Sequence, residues 1–273
     1  MNIAPKRTEK NDWMSDLLAR KGYYVSGHSN FSERLGLPKD VVVVIRHFRL
    51  YVSTLPEVIL LTLEWKNGFK DGTTSGIQTS EAFKDIQKVF PSLHILSFSP
   101  DAGQFELDTM GLMNGRKLRE WFSSIDNRYL TNQGRVKPIN VSSNDGFADW
   151  TRANLTPECV INDFDGLLCP TKQLPGVLIE LKRPKQDIRY WSPYRNDRGN
   201  YQSVASIAKD TGLENRTIAY NIDNQAIVAL HKDVVWNAID QSLHSYYCVL
   251  PSQEAIAVPL ENRFILKELQ SRN

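Results

Sequence analysis

Cysteine is scarce in this chain of 273 residues: only Cys159, Cys169 and Cys248 occur. The set is odd in number and shows neither a CxxC motif nor a cysteine–histidine spacing suited to zinc. That argues against a disulfide framework and a structural zinc, and it suits a reducing compartment. Long apolar runs are missing as well. No stretch reaches the 18 or so consecutive apolar residues of a membrane span, so no membrane association is expected. Met1 to Asp12 is polar and charged, without the apolar core of a secretory signal. An intracellular protein of the nucleus and/or cytoplasm is therefore expected. An excess of one charge is also absent: 33 basic against 31 acidic residues leave a net charge of +2, too small to argue for nucleic acid or acidic lipid on its own. Neither a P-loop nor a G-x-G-x-x-G occurs, and His28, His47, His94, His231 and His244 lack ligand spacing and read as structural.

What is present is an ordinary globular composition, 41% hydrophobic and 23% charged. The chain is long enough to bury a substantial core. No repeat, low-complexity tract or Pro/Gly/Ser linker divides it, so a single domain over 1–273 is expected, with its chemical core at about 111–232. Asp12 to Lys21 reads as an amphipathic helix stopped by Gly22. Asp40 to Val52 and Glu57 to Lys66 are rich in β-branched residues and read as strands, as do Ser92 to Phe98 and Phe105 to Asp108. Ser80 to Phe90 reads as a helix capped by Ser80, and Gly115 to Ile125 as a second with Leu118, Trp121, Phe122 and Ile125 on one side. A polar stretch, Asp126 to Asp145, precedes a short helix or turn over Phe147 to Asn154. Gly199 to Thr211 is the clearest helix, closed by Gly212; strands follow at Arg216 to Ile222 and Ala226 to His231. Helices are expected over Val234 to Gln241 and Arg263 to Ser271. The class is α/β (α+β): a mixed central sheet flanked by helices.

One segment concentrates chemistry. In NDFDGLLCPTKQLPGVLIELKRP, Asp163 and Asp165 are two apart, as are Glu180 and Lys182, and residues two apart in a strand share a face. A turn over Cys169 to Pro175 would pair the two strands antiparallel and bring three carboxylates and an ammonium to one sheet edge. Carboxylate oxygens are the donors Mg²⁺ and Mn²⁺ prefer. A neighbouring lysine can orient or help deprotonate an attacking water and offset charge on a phosphate. The pattern D-x14-E-x-K, with its glutamate on an apolar strand, is the signature of PD-(D/E)XK nucleases, which also place a helix and then a strand after it. The plainer reading is a solvated hairpin face. Val177, Leu178, Ile179 and Leu181 speak against it, because burying Glu180 and Lys182 without partners would be costly.

Lys182 to Arg198 adds Arg183, Lys185, Arg189 and Arg195 to the basic set, with Tyr190, Trp191 and Tyr194 interleaved. Basic groups can neutralise phosphates and aromatic rings can stack on unpaired bases. The alternative is a charged loop whose aromatics cap the core. Asp163-Phe164-Asp165-Gly166 resembles the K-x-D-G motif of nucleotidyl transferases, but an aspartate occupies the lysine position, so covalent nucleotidylation is not supported.

From about Val43 to Val235 the order of segments resembles the DXO family of RNA 5′-end quality-control enzymes. These carry a PD-(D/E)XK-like site and act as decapping enzymes, pyrophosphohydrolases, NAD-cap removers and 5′-to-3′ exoribonucleases. The resemblance puts Arg46, in VVIRHFRLYVSTLPEVILLTLEW, at the position of a substrate-binding arginine. MNGRKLREW is similar to a helix whose glutamate binds metal, with one extra residue before the acid; either Arg119 stands in its place or Glu120 takes over, and Glu120 is preferred. Pro138-Ile139-Asn140 matches a Pro-Val-Asn segment, and Asp163-Phe164-Asp165 a Glu-x-Asp motif with aspartate for its first glutamate. Glu180 and Lys182 match intact, and Tyr201-Gln202-Ser203 matches a Gln-Ser motif behind the site.

The resemblance implies a metal-dependent RNA 5′-end hydrolase. Asp165, Glu180 and Glu120 would hold Mg²⁺ or Mn²⁺, Asp163 would order a metal-bound water, and Lys182 would position the attacking water. Arg46, Gln202, Arg183 and Trp191 would bind substrate. The partner is a single-stranded RNA 5′ end, capped, NAD-capped or phosphorylated, with a 5′-to-3′ exonuclease as a candidate protein partner. Two alternatives stay open: a restriction-type DNA endonuclease using the same triad, and a degenerate relative that binds RNA ends without cleaving them.

Overall fold

The computed structural model describes residues 12–50, 57–130, 145–237, 242–260 and 265–269. In chain order the elements are α1 (Trp13–Arg20), β1 (Tyr24–Val25), α2 (Ser29–Arg34), β2 (Val41–Leu50), β3 (Val58–Trp65), α3 (Thr73–Gln78), α4 (Glu81–Val89), β4 (Leu93–Phe98), β5 (Phe105–Leu107) and β6 (Gly111–Met113). They continue with α5 (Gly115–Ile125), α6 (Gly146–Asn154), β7 (Cys159–Phe164), β8 (Gly166–Leu168), β9 (Val177–Lys182), α7 (Arg198–Thr211), β10 (Glu214–Ala219), β11 (Ile227–Asn237), β12 (Ser242–Pro251), α8 (Ser252–Ala255) and β13 (Ile265–Leu269). The fold is mixed α+β, with two mixed sheets flanked by helices. Contacts divide the described chain into two compact units, one spanning Ser26–Asp163 and the other Asn11–Val25 with Phe164–Asn273.

The first unit is built on a six-stranded sheet of order β6-β5-β4-β3-β2-β7. In it β2 and β3 pair antiparallel, with β4 parallel to β3. Almost every residue of β2 and β3 is buried, which explains why both read as continuous apolar runs rather than alternating ones. Helix α5 delivers Leu118, Trp121 and Phe122 to a core shared with Phe48, Leu60, Phe98, Phe105 and Phe147. Ser80 caps α4 by accepting the Phe83 N–H at 3.1 Å, as its sequence position implies.

The second unit is built on a seven-stranded sheet of order β1-β8-β9-β10-β11-β12-β13. Strands β8 and β9 form an antiparallel hairpin, Gly166 opposite Ile179 and Leu168 opposite Val177. Strand β9 then runs parallel to β10, the two joined by α7, which packs on β10 and β11. A parallel pair needs such a crossover because no tight turn can join it. Met14, Leu17 and Leu18 of α1 cover Val177, Ile179, Ile218 and Leu230 on one face of this sheet. Gly176 is required at the hairpin base: a Cβ there would lie 2.9 Å from the Leu168 carbonyl oxygen, against backbone. Gly212 ends α7 in the left-handed conformation, φ 69°.

The C-terminal elements depart from the sequence-based expectation. Of the helix expected over Val234 to Gln241, the described residues 234–237 are instead the end of β11, paired with β12. Asp233 takes a positive φ of 50°, and the register shifts between Lys232 and Val235, a bulge that breaks strand alternation. The Val-Val-Trp run then imitates helical spacing while its residue types suit a pleated strand. The helix expected over Arg263 to Ser271 is likewise a strand, β13, on the edge beside β12. Residues 238–241, 261–264 and 270–273 of these segments lie outside the described residues, as does the Pro138-Ile139-Asn140 motif.

Candidate active site

The hairpin forms, but its first strand starts at Gly166, beyond both aspartates expected on it. Strand β7 belongs to the first sheet and β8 to the second, so the chain changes sheets across Asp165. Asp163 and Asp165 therefore do not share a strand face. Asp163 is exposed near the end of β7, with Oδ1 3.8 Å from Arg46 Nε; Asp165 is buried at the bend between strands.

That bend has a clear local cause. Ile179 is the last β9 residue paired with β8. The next N–H on that edge, from Leu181, has lost its strand partner because the chain has left the sheet. Asp165 Oδ2 accepts it at 2.6 Å. A carboxylate thus takes the place of a ladder carbonyl, on the peptide that follows Glu180, and a charged acceptor strengthens the bond.

Glu180 and Lys182 do share a face of β9. Lys182 Nζ lies 3.0 Å from Glu180 Oε1 and 3.0 Å from Asp197 Oδ2. It also sits over the Tyr201 ring, 5.6 Å from the centroid. Burial works against the charge on Lys182, but Glu180, Tyr201 and Asp197 outweigh it, and the ammonium titrates well above the ordinary lysine range. A protonated lysine there can stabilise negative charge or orient a water. Asp197, just before α7, was not singled out in the sequence because nothing local distinguishes it from a surface acid.

Arg46 has a different setting. Its side chain is only 3% exposed. Nε donates to Thr62 Oγ1 at 2.9 Å, Nη2 pairs with Asp145 Oδ2, and the guanidinium lies 5.5 Å from the Phe147 ring centroid. Burial opposes its charge, and Asp145, Asp163 and Glu64 more than restore it, so its pKa is raised. Asp145 Oδ1 meanwhile caps α6 by accepting the Ala148 N–H at 2.7 Å. Arg46, expected to bind substrate, therefore ties β2 and β3 to the start of α6 in a buried setting.

The remaining candidates separate by exposure. Glu120 lies on the solvent side of α5, opposite Leu118 and Phe122, and pairs with Arg116 at 3.1 Å. Trp191 is fully buried, T-shaped to His231 at 5.1 Å and packed on Ala219 and Ala229. It offers no ring face to a base, so for Trp191 the core-capping alternative is correct. The exposed rings of the segment are Tyr190 and Tyr194. Arg189 is engaged by Asp187, and Arg183 lies 3.6 Å from Asp12. Gln202 is exposed on α7, while Ser203 beside it is buried.

Four carboxylates, Glu120, Asp163, Asp165 and Glu180, were the expected metal set. Among the described residues, no group of three or more His, Cys, Asp or Glu side chains is arranged to hold a metal ion. Asp165 and Glu180 remain as two hard oxygen donors on one hairpin. That smaller set is chemically suited to Mg²⁺ or Mn²⁺, since Mg²⁺ commonly takes one or two protein carboxylates and completes its shell with water and phosphate oxygens. Among the described residues no helix is long and apolar enough to cross a membrane. Comparisons with protein-family models, with curated proteins and with solved structures find no match to this chain.

Proposed function

We propose that the protein is a metal-dependent hydrolase of RNA 5′ ends, with the β8–β9 hairpin as its chemical centre. One observation carries the reading most: Asp165 is bound to the peptide beside Glu180 and Lys182, on a strand followed by a crossover helix and a parallel strand. That order is the one expected of a PD-(D/E)XK core. RNA 5′ ends as substrate rest on the resemblance of the flanking motifs to the DXO family.

Asp165 and Glu180 would hold Mg²⁺ or Mn²⁺, which when bound supplies a Lewis acid for the phosphate and acidifies water. Lys182 keeps an ammonium beside Glu180, where it offsets charge on the attacked phosphate and orients the incoming water. Gln202, exposed on α7, is available to donate its amide to the RNA backbone. Tyr190 and Tyr194, in place of Trp191, present the ring surfaces on which unpaired bases can stack.

A panel of end-labelled single-stranded RNAs bearing triphosphate, monophosphate, methylated-cap or NAD ends tests this, with duplex DNA alongside. In Mn²⁺ the protein should act from the 5′ end of RNA, and D165N and E180Q should each lower the rate by about 100-fold or more. Wild-type rates in either variant would overturn the assignment. A second reading, an RNA-end binder without turnover, has its own support: Lys182 is already engaged by two carboxylates and no three-donor group is assembled among the described residues. It predicts RNA binding indifferent to metal and no product from any substrate.

A further inference from the structure

Asp197 occupies the N-cap position of α7, yet its side chain makes no capping hydrogen bond. Aspartate there ordinarily accepts an N–H of the first turn, and giving that up forgoes a stabilising cap. The carboxylate points instead to Lys182, with Oδ2 3.0 Å from Nζ. Its backbone, φ −90° and ψ 8°, also differs from the extended geometry of a capping residue and belongs to the short helical turn Arg195–Asp197. On the other side of the ammonium stands Glu180, also at 3.0 Å, with the Tyr201 ring beneath. Lys182 is thus held from three sides, by its own strand, by the entry to α7 and by the first turn of α7. A lysine side chain is long and flexible, and Glu180 alone would leave much of that freedom if its carboxylate turned to a cation.

We infer that Asp197 is a positioning residue of the hairpin site, fixing the Lys182 ammonium beside Glu180 so that its place does not depend on Glu180 alone. The inference rests on the hydrolase reading for its chemical meaning but not for its geometry. It extends the functional pattern to Asp165, Glu180, Lys182 and Asp197 within one unit of the fold.

The test is a two-by-two set on the full chain: wild type, D197N, K182A and the double variant. Asparagine caps a helix about as well as aspartate, so D197N removes the ion pair without removing the capacity to cap. Two readouts are taken: kcat and KM on 5′-labelled single-stranded RNA in Mn²⁺, and the acetylation rate of Lys182 by peptide mass spectrometry. D197N should lower kcat by about 10- to 100-fold with KM nearly unchanged, since misplacement of about 1 Å has effects of that order. It should add nothing in the K182A background, and it should speed acetylation of Lys182 several-fold relative to the other lysines. A further loss in the K182A background, or unchanged acetylation of Lys182 in D197N, would overturn the inference. A wild-type protein that hydrolyses no RNA would sink the hydrolase reading alone, and the acetylation comparison would still decide whether Asp197 holds the lysine.

Discussion

Arg46 and Lys182 are each a cation between two carboxylates, one in each unit, and they differ in what surrounds the charge. Around Arg46 the hydrogen-bonding partners are internal: Asp145 is 1% exposed, Thr62 is buried, and the Phe147 ring lies alongside, while the exposed Asp163 stands farther off at 3.8 Å. Around Lys182 the shell is open on one side, with Asp197 32% exposed and Glu180 14% exposed. The buried Arg46–Asp145 pair makes a brace, because water cannot readily take the place of either partner. The open shell around Lys182 leaves room for water, a cation or a phosphate to enter. In the sequence Lys182 stands two residues from Glu180, whereas the carboxylates around Arg46 lie far along the chain, so only the fold brings the two clusters into comparison.

The contrast can be broken in order of size. R46M removes one member of a buried pair and strands Asp145, which should cost about 3–5 kcal/mol and appear as a lower urea midpoint. A loss well under 1 kcal/mol would mean that Arg46 is no brace. K182M should cost much less, about 1 kcal/mol, because Glu180 and Asp197 can rehydrate, while activity falls steeply. Equal stability losses in the two variants would erase the distinction drawn here.

Acid provides a finer cut within the second unit. Burial raises the Glu214 pKa, but hydrogen bonds from Arg216 and Lys232 outweigh it and leave it lowered from its usual 4.5. A depressed carboxylate contributes stability that is complete above its unfolded value and lost as pH falls through the folded one. Unfolding free energy should therefore decline below about pH 4.5, and E214Q should flatten that decline. An identical acid limb in wild type and E214Q would show that the pair with buried Arg216 contributes nothing. The smallest effect is expected from E120Q: on the solvent side of α5, its loss should leave both stability and Mn²⁺ dependence where they were. A raised Mn²⁺ requirement would restore Glu120 to the ligand set.

The pattern of what the sequence foretold follows the range of the forces involved. Gly115–Ile125 and Gly146–Asn154 match the expected helices because caps and apolar spacing are local. The pairing of β8 with β9, and the α7–β10 crossover behind it, followed from a strongly apolar strand and a glycine-terminated helix. The change of sheet at Asp165 was hidden, since Phe164 and Gly166-Leu167 continue an apolar pattern across it and only pairing partners reveal the break. The burial of Trp191 and of Arg46 was hidden for one reason: burial is set by distant packing, and neither residue type announces it. Asp197 escaped notice because its partner lies fifteen positions back on another element.

Whether the open cluster around Lys182 does chemistry is addressed directly by one measurement. It is the rate at which a 5′ label leaves single-stranded RNA in Mn²⁺, compared between wild type and K182M at equal concentrations of folded protein. Turnover by wild type with a fall of about 100-fold or more in K182M is the predicted result. Hydrolysis by K182M at the wild-type rate would contradict it and make Lys182, like Arg46, a brace.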